Sequence, residues 1–430
     1  MDKVESFLSC HGLSASCVDE EGLLDRFISE MDKGLAGEKS SLAMIPTYIG
    51  ADTDIRPGES VIVLDAGGTN FRTCLVTFDE NRKPQISDFR KVGMPGVKAE
   101  VSAAEFFSIL ADNVERLIDK SDRIGFCFSY AAKITEDHDG IPLLFSKEIK
   151  APEVIGKPIG KTLLAELASR GFDVSKKKVS VVNDTVATLL AAKAGHPDNA
   201  SSYVGFILGT GTNTAYIEKT DKITKIAGKG PDRQIVNVES GCFARHLADL
   251  DLSFINSTKD PGNYWLEKGI SGAYLGPFSA HVIEKAIEEG VLSEEFASRY
   301  RQIAPLDTTR MSHYLEMCHN MDYDLVKCVE GNEEDASALY KILKSIIERA
   351  AKFTAVNLTA AILSSGGGTD PRYPVVINAD GTTFYKTAFL EFYTRMYLDL
   401  IAEKKHSRYF EIISMDNSPT IGAAIAGLSI

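Results

Sequence analysis

The stretch VIVLDAGGTN, residues 61–70, decides the fold of this chain. It begins with four apolar residues, breaks at Gly67 and Gly68, and is followed by a second apolar run at residues 74–76. Two short apolar runs around a glycine pair predict a hairpin of two β-strands. Because glycine has no Cβ, the backbone N–H groups of such a turn are able to approach phosphate oxygens closely. An ordinary tight hairpin is an equally good interpretation of this turn taken alone.

The hairpin pattern recurs in the second half of the chain. The tripeptide GTN of residues 68–70 reappears at residues 211–213, inside a second strand-turn-strand unit at residues 203–218. Gly-Thr-Asn is good turn chemistry, so a chance match is the alternative, but the matching context favours two related halves. Two such turns are able to hold a triphosphate from opposite sides. Neither is a Walker loop, and no GxGxxG fingerprint follows the first strand.

Strands and helices alternate outward from the first hairpin, as an α/β fold requires. The apolar spacing predicts helices near residues 104–118, 161–170 and 185–195, and strands at 124–128 and 179–182. Residues 1–57 are predicted as a helical lead-in that ends in a turn. Beyond residue 239 we expect mostly helix, with long helices at 333–363 and 387–404 and a helix of small residues at 421–428. Strands are expected at 375–378 and 410–414.

Composition and charge exclude several classes of protein. The 430 residues, 44% hydrophobic and 25% charged, are enough for two domains. A net charge of -13 argues against a nucleic-acid or anionic-membrane surface. Seven scattered cysteines without a CxxC pair favour a reducing cytosol over a disulfide framework or zinc site. No leader pattern and no apolar stretch of about 20 residues is present, so we expect a cytoplasmic protein.

One carboxylate stands where catalysis would use it. Asp184 lies between the strand at residues 179–182 and the helix that follows. Phosphoryl transfer to an alcohol needs a carboxylate that accepts the hydroxyl proton and cations that neutralise the transferred group. Asp184 is our candidate base, although position alone favours a helix N-cap. Lys147, in the segment LLFSKE, would by default be a surface lysine.

Longer motifs resemble those of hexokinases. The segments LDAGGTNFR (64–72), VVNDTVATLLA (181–191) and LGTGTNTAYIE (208–218) match that family in order and spacing. The similarity extends through GFCFS (125–129), LLFSKE (143–148), NVESGCF (237–243) and LEKGISGAYLG (266–276). It covers residues 60–280 well and the remainder weakly.

The resemblance implies the two-lobed actin-like ATPase (ribonuclease H-like) fold, an α/β architecture with a duplicated mixed β-sheet and a cleft between lobes. The small lobe would comprise residues 60–182 and the helix 418–430, and the large lobe residues 1–59 and 183–417. The segment around Gly422 would pack on the Asp184 helix at the hinge. The activity implied is ATP-dependent phosphorylation of the 6-hydroxyl of glucose and other hexoses, with the lobes closing on the sugar.

The resemblance also assigns roles to individual residues. Asp184 would be the general base, Lys147 would contact the sugar and the transferring phosphoryl group, and Arg72 would complete the catalytic set. The sugar contacts would be Ser129, Ser146, Lys147, Asn183, Asp184, Asn213, Glu239 and Glu267. The nucleotide contacts would be Asp65, Gly67, Gly68, Thr69, Asn70, Arg72, Gly209, Thr210, Gly211 and Thr212, with Gly381 and Thr382 on the adenine side. Asp65 would organise Mg²⁺ through water. Without the resemblance, Glu239 and Glu267 would pass for ordinary surface glutamates.

The adenosine turn has a second candidate. The triple glycine at residues 366–368 would serve there, or it would form a flexible loop that closes the preceding long helix. Both interpretations remain open at the level of sequence.

The chain departs from the family pattern beside the sugar pocket. Tyr130-Ala131 replaces the usual Phe-Pro, Ser146 replaces Thr, and Ser240 replaces a common Trp. These changes leave hexose selectivity open among glucose, mannose, fructose and glucosamine. A superfamily kinase for another acceptor, such as acetate or glycerol, and a non-catalytic sugar sensor are the alternatives. Glu239 and Glu267 disfavour an acetate-like acceptor, while Asp184 and Lys147 disfavour a sensor. Nothing in the sequence indicates an oligomeric state.

Overall fold

The computed structural model describes residues 2–51, 55–143, 145, 149–195 and 199–430. The strands in these ranges are β1 Ile45–Gly50, β2 Ser60–Gly67, β3 Asn70–Phe78, β4 Pro84–Gly93, β5 Arg123–Phe128, β6 Ala132–Ile134, β7 Gly140–Pro142, β8 Lys178–Val182, β9 Ser202–Leu208, β10 Thr212–Lys219, β11 Arg233–Asn237, β12 Val375–Asp380 and β13 Phe410–Ile413. The helices are α1 Lys3–Cys10, α2 Glu20–Ala36, α3 Ala103–Val114, α4 Ile159–Ser169, α5 Asp184–Gly195, α6 Asp249–Ser257, α7 Glu267–Ile270, α8 Leu275–Glu288, α9 Glu294–Tyr300, α10 Thr308–Glu316, α11 Asp324–Cys328, α12 Glu333–Ser365, α13 Thr382–Lys386, α14 Leu390–Leu398 and α15 Ser418–Leu428.

Two β-sheets repeat one arrangement. The first sheet has the order β4-β3-β2-β5-β8, and the second has the order β1-β11-β10-β9-β12-β13. In each, an antiparallel hairpin (β2–β3 or β9–β10) is followed by a parallel strand, β5 beside β2 and β12 beside β9. Gly67 lies opposite Asn70 in the first hairpin, and Leu208 opposite Thr212 in the second. The predicted duplicated mixed sheet is therefore confirmed.

Two helices of small residues lie between the sheets. Helix α15 packs on β2, β5 and β8 of the first sheet, α5 packs on β9, β10 and β12 of the second, and the two helices pack on each other. A Cβ at Gly422 of α15 would overlap the backbone carbonyl of Ala187 in α5. A Cβ at Gly125 of β5 would likewise overlap the carbonyl of Ala423. Glycine is thus required at both positions, and the expected packing of the Gly422 segment on the Asp184 helix is observed.

The outer face of the second sheet is covered by the long helix α12, which contains a buried ion cluster. Arg349 of α12 is only 2% exposed, and its two terminal nitrogens each donate to Asp251 at 3.0 Å. Arg245 donates to the same carboxylate at 2.8 Å. Burial acts to raise the pKa of Asp251, but the two guanidinium groups hold it well below its ordinary range. Since an unpaired charge here would be costly, this cluster fixes α12 against the segment around α6.

The N-terminal prediction was incomplete. Helices α1 and α2 confirm the helical lead-in and the chain turns at Pro57 and Gly58 as predicted, but strand β1, which pairs antiparallel with β11, was not predicted. Pro46 lies within β1, and an edge strand tolerates proline because one side of its ladder is unpaired. The helix predicted at 387–404 begins as α14 at Leu390 and ends in a π-helical turn over Asp399–Lys405.

The triple glycine closes a helix. Gly366 ends α12 in the left-handed conformation, with φ 72°, and the N–H of Gly368 donates to Ser201 Oγ at 2.7 Å. Ser201 precedes β9, so this loop lies at the opposite end of that strand from residues 209–211. The helix-closing interpretation is therefore supported, and the adenosine alternative is not.

The proposed lobe boundaries, at residues 60, 183 and 418, stay a prediction. The first sheet does fall within residues 60–182, and β1 joins the second sheet. No helix in the described part of the chain has both the length and the apolar character needed to cross a bilayer.

Substituting Gly422→Ala tests the contact between α5 and α15. We expect a loss of about 3 kcal/mol in the free energy of unfolding, because the added methyl overlaps backbone and not a movable side chain. Urea denaturation followed by circular dichroism measures the loss. Gly262→Ala is the matched control, since a Cβ there meets no heavy atom within 4 Å. Equal unfolding free energies for the two variants would contradict the packing described.

Candidate functional site

Four predicted site residues meet at the turn between β2 and β3. Arg72 Nη1 donates to Asp65 Oδ2 at 2.6 Å. A Cβ added at Gly67 would lie 3.3 Å from Asp65 Oδ1 and 3.8 Å from both Arg72 Nη1 and Ser129 Oγ. Ser129 is held there because its N–H donates to the carbonyl of Ala66 at 3.1 Å. The absence of a side chain at Gly67 is what leaves room above this group.

The Asp184 carboxylate lies close enough to Asp65 to affect the pKa of Asp65. Burial raises the pKa of Asp65, the Arg72 guanidinium opposes that rise, and the Asp184 carboxylate adds to it. Burial and the same two carboxylates raise the pKa of the Cys127 thiol in β5. The end of the first sheet and the start of α5 therefore meet at one place.

Asp184 begins helix α5 beside a second polar side chain. The N–H of Thr185 donates to Asn183 Oδ1 and to Asp184 Oδ1, each at 2.9 Å. The two side chains cap the helix together, so the capping alternative is correct in part. Asp184 remains partly exposed. A carboxylate at a helix N-terminus, open to the cleft, is placed to accept a proton from a bound hydroxyl group.

An amide network extends from α5 across the second sheet. Asn213 Nδ2 lies 3.4 Å from Asn183 Oδ1 and donates to Asn237 Oδ1 at 2.8 Å. Asn237 Nδ2 in turn donates to Glu239 Oε1 at 2.8 Å. The network orients three predicted sugar contacts from separate segments. Asn237 was not predicted individually. Its place at the start of the NVESGCF motif is the sequence signal that points to it, and its role comes from the neighbours that it meets at the end of β11.

Glu239 is held in an unusual backbone conformation. Its φ of 59° is left-handed, which costs energy for a residue with a side chain and is typical of functional sites. Burial raises the pKa of Glu239, the Asn237 hydrogen bond lowers it, and the Asp184 and Glu267 carboxylates raise it further. Three carboxylates therefore surround one space.

The turn between β9 and β10 positions Glu267. The N–H of Thr212 donates to Glu267 Oε2 at 3.0 Å. A Cβ at Gly211 would lie 2.6 Å from this oxygen, and a Cβ at Gly241 would lie 3.3 Å from it. Glycine at both positions thus makes room for the carboxylate, which joins the group around Glu239.

A cavity of about 670 Å³ opens on the other side of this turn. The Gly209 carbonyl accepts from the Gly272 N–H at 2.9 Å and from Thr383 Oγ1 at 2.8 Å. Gly381 has φ 121°, and a Cβ there would overlap the Leu208 carbonyl. The cavity is lined by Thr210, Gly272, Ala273, Thr308, Thr309, Ser312, His313, Glu316, Thr382, Thr383, Tyr385, Lys386 and Thr387.

Most of that lining was not predicted. Of the residues proposed for the nucleotide, Thr210 and Thr382 line the cavity, and Gly209 and Gly381 shape its edge. The remaining wall comes largely from helices α10 and α13, where the sequence carries no recognisable motif. Their hydroxyl-rich composition gave no signal that separates a cavity wall from a solvated helix face.

Two of the predicted site residues lie outside the described part of the chain. Ser146 and Lys147 are not among the described residues, so their predicted roles stay predictions. Within the described ranges, no group of three or more His, Cys, Asp or Glu side chains could hold a metal ion.

Comparison with known proteins gives a consistent result. Two family models, both described as hexokinase, match residues 4–194 and 203–429. A hexokinase of Schistosoma mansoni is 28% identical over an alignment of 450 residues, which covers 99% of this chain and 96% of that protein. A glucokinase of Aspergillus niger is 28% identical over 394 residues, 79% of each protein.

Solved structures agree with the sequence comparison. A structure of Schistosoma mansoni hexokinase complexed with glucose matches with a TM-score of 0.79 and 25% identity over 99% of both chains. A ROK hexokinase from Thermus thermophilus matches with a TM-score of 0.51 and 15% identity, over 86% of this chain and 97% of that one. The second likeness is one of fold alone. The predicted actin-like ATPase fold is confirmed.

Proposed function

This chain belongs to the hexokinase family, and we propose that it transfers the γ-phosphoryl group of ATP to the 6-hydroxyl of glucose. The observation that carries the proposal is the position of Asp184, which begins α5 between the two glycine turns and beside the network that ends at Glu239. A base, a polyhydroxyl site and a nucleotide cavity then lie in one continuous region. A cytoplasmic location and a role in glycolysis are part of the same proposal.

In the proposed reaction Asp184 accepts the proton of the sugar 6-hydroxyl. The hydroxyl oxygen forms a bond to the γ-phosphorus while the bond from that phosphorus to the β,γ-bridging oxygen breaks, and ADP leaves with the electron pair. Positioning and charge neutralisation supply most of the catalysis in such transfers. Arg72, directed at Asp65 in the free protein, and Lys147 are the cations proposed to neutralise the transferred group.

The proposed sugar site combines hydrogen-bond acceptors with groups that both donate and accept hydrogen bonds. The carboxylates of Glu239 and Glu267 accept hydrogen bonds from sugar hydroxyls, while the amides of Asn183 and Asn213 both donate and accept. Ser129 contributes from the first sheet, and Ser146 belongs to the proposed set. Because Ser129 follows strand β5 of the first sheet and Glu239 follows strand β11 of the second, a bound sugar is expected to draw the lobes together and exclude water.

The nucleotide is proposed to span the two turns, with its phosphates between residues 67–70 and 209–212. Its adenosine would occupy the cavity beside Gly381 and Thr382, whose volume suits a ligand of that size. Asp65 fits the Mg²⁺ of the nucleotide through water, because Oδ2 is engaged by Arg72 and Mg²⁺ keeps several waters. Mg²⁺ held near Asp65 would supply positive charge that offsets the negative charge of the phosphates.

The alternatives are less well supported. An acetate-like acceptor would face Glu239, Glu267 and Asp184, whose charges repel a carboxylate. A sensor without catalysis would have no need of Asp184 in its cleft position. The departures from the family pattern at Tyr130, Ser146 and Ser240 are expected to affect hexose selectivity, and mannose, fructose and glucosamine therefore belong in the substrate panel.

We predict that Asp184→Asn lowers kcat about 100-fold or more, because general-base assistance is lost while size and the Thr185 contact are kept. ADP release from Mg-ATP is measured with and without glucose, mannose, fructose and glucosamine. Asp249→Asn is the matched control, since Asp249 also begins a helix and accepts from the next N–H, Leu250, at 2.8 Å.

Two outcomes would contradict this assignment. Asp184→Asn turnover equal to that of Asp249→Asn would remove Asp184 from the chemistry. If the wild-type protein released no ADP in response to any hexose, the proposal that a hexose is the acceptor would be wrong, and glycerol and acetate would be tested next.

Acidification should weaken glucose binding through Glu239. The charged carboxylate accepts hydrogen bonds from sugar hydroxyls. Its contribution to glucose affinity is therefore present above the raised pKa of Glu239 and is lost as the pH falls through that pKa. The loss should therefore begin above the 4.5 of an ordinary glutamate. Trp265, the only tryptophan, lies two residues from Glu267, and its fluorescence reports the dissociation constant.

Glu239→Gln is the control for this titration. The carboxylates of Asp184 and Glu267 lie nearby and remain in the variant, so the difference between the two profiles isolates Glu239. Between pH 7 and 5 we expect weak and nearly constant binding by the variant. Parallel profiles for both proteins would show that Glu239 does not contact the sugar.

A further inference from the structure

Tyr130 lies between the sugar side and the phosphate side of the site without belonging to either predicted set. It follows Ser129 directly and is only 2% exposed. Its hydroxyl donates to the Gly68 carbonyl at 2.7 Å, across the tip of the β2–β3 turn. The side chain therefore connects the segment after β5 to the first glycine turn.

The carbonyl that Tyr130 holds determines where a neighbouring N–H points. The Gly68 carbonyl and the Thr69 N–H belong to one planar trans peptide, so they point in opposite directions. With the oxygen bound to a buried phenol, the N–H faces away from the protein interior, and Thr69 is exposed. We propose that Tyr130 is a positioning residue that orients the Gly68–Thr69 peptide so that its N–H donates to a phosphate oxygen of the nucleotide.

The turn needs a contact that holds this peptide because the backbone of glycine adopts many conformations. Gly68 has φ 50°, and glycine occupies left-handed and right-handed conformations with similar ease. A rotated Gly68–Thr69 peptide would present its carbonyl oxygen to the phosphates, where N–H donors are needed. The next peptide is held separately, since the Met94 N–H donates to the Thr69 carbonyl at 3.0 Å. Tyr130 thus controls the one carbonyl at the tip that Met94 leaves unfixed.

The phenol is rigidly placed and stays a donor. Its ring contacts Phe128 and Phe145, with centroid distances of 5.0 and 5.2 Å and steep interplanar angles. Edge-to-face contacts of this kind restrict the ring. Burial, together with the Asp65 and Asp184 charges, raises the pKa of the Tyr130 hydroxyl, so it remains protonated at neutral pH.

This inference rests on the proposed function, because it assigns the phosphate contact to ATP. Tyr130→Phe removes the hydroxyl and keeps the ring packing. We expect KM for ATP and the dissociation constant of Mg-AMPPNP to rise about 10-fold, as for the loss of one buried hydrogen bond. Glucose affinity, measured by Trp265 fluorescence, should change less than about 2-fold, because the Tyr130 ring beside Ser129 is kept in the variant.

Tyr397→Phe is the matched control. Its hydroxyl also donates a 2.8 Å hydrogen bond, to Glu348 Oε1, but on the outer helices α12 and α14. It should leave KM for ATP, AMPPNP binding and glucose binding unchanged. A thermal melt of each variant shows how much general stability each hydroxyl contributes, which separates positioning from folding.

AMPPNP binding can be measured without a sugar acceptor. The positioning role of Tyr130 and the proposed hexokinase activity can therefore be tested separately. Weakened AMPPNP binding by Tyr130→Phe supports the positioning role even if the wild-type protein phosphorylates none of the hexoses. Unchanged AMPPNP affinity in a folded Tyr130→Phe variant overturns it, whatever the turnover. A rise in the glucose dissociation constant equal to that for AMPPNP also overturns it, because the hydroxyl would then act on the whole cleft.

Discussion

The close contact between α5 and α15 is the constraint on which the rest of the structure depends. These two helices fill the space between the sheets, and glycine at 422 and 125 lets backbone meet backbone where any side chain would collide. Apolar side chains of both sheets and both helices form one continuous core across the junction. The two glycine turns are therefore connected through a densely packed junction and not through a flexible linker.

This constraint places the chemistry. Asp184 begins α5, so it projects from the junction itself, and the groups around it come from the ends of strands in both sheets. Asp65 lies in the first sheet and Ser129 directly follows it, while Asn213 lies in the second sheet and Glu239 follows its strand β11. Neither half contains a complete site. Movement of one sheet relative to the other would change distances at the reacting group without disturbing either half internally.

The sequence predicted the parts of this arrangement that depend on local backbone chemistry. Glycine turns have strict conformational requirements, so the two hairpins and the start of α5 were recognisable from residues 61–70, 181–191 and 208–218. Strand β1 was missed because its pairing partner, β11, is remote in sequence. Asn237 and the α10 wall of the cavity were missed for the same reason, since an amide or a threonine acquires a role only from neighbours that the fold supplies. The roles themselves came from the family resemblance, since position alone favoured a simple cap for Asp184.

The placement of α15 also has a consequence for the order of assembly. Strands β2, β5 and β8 need α15 to cover their inner face, yet strands β9 to β13 and the helices among them lie between β8 and α15 in the chain. A nascent chain emerging from the ribosome would complete the second sheet while the first still exposes Val61 and Val63. Such long-range closure is slow, and a chain paused at this stage would present an apolar surface that chaperones bind.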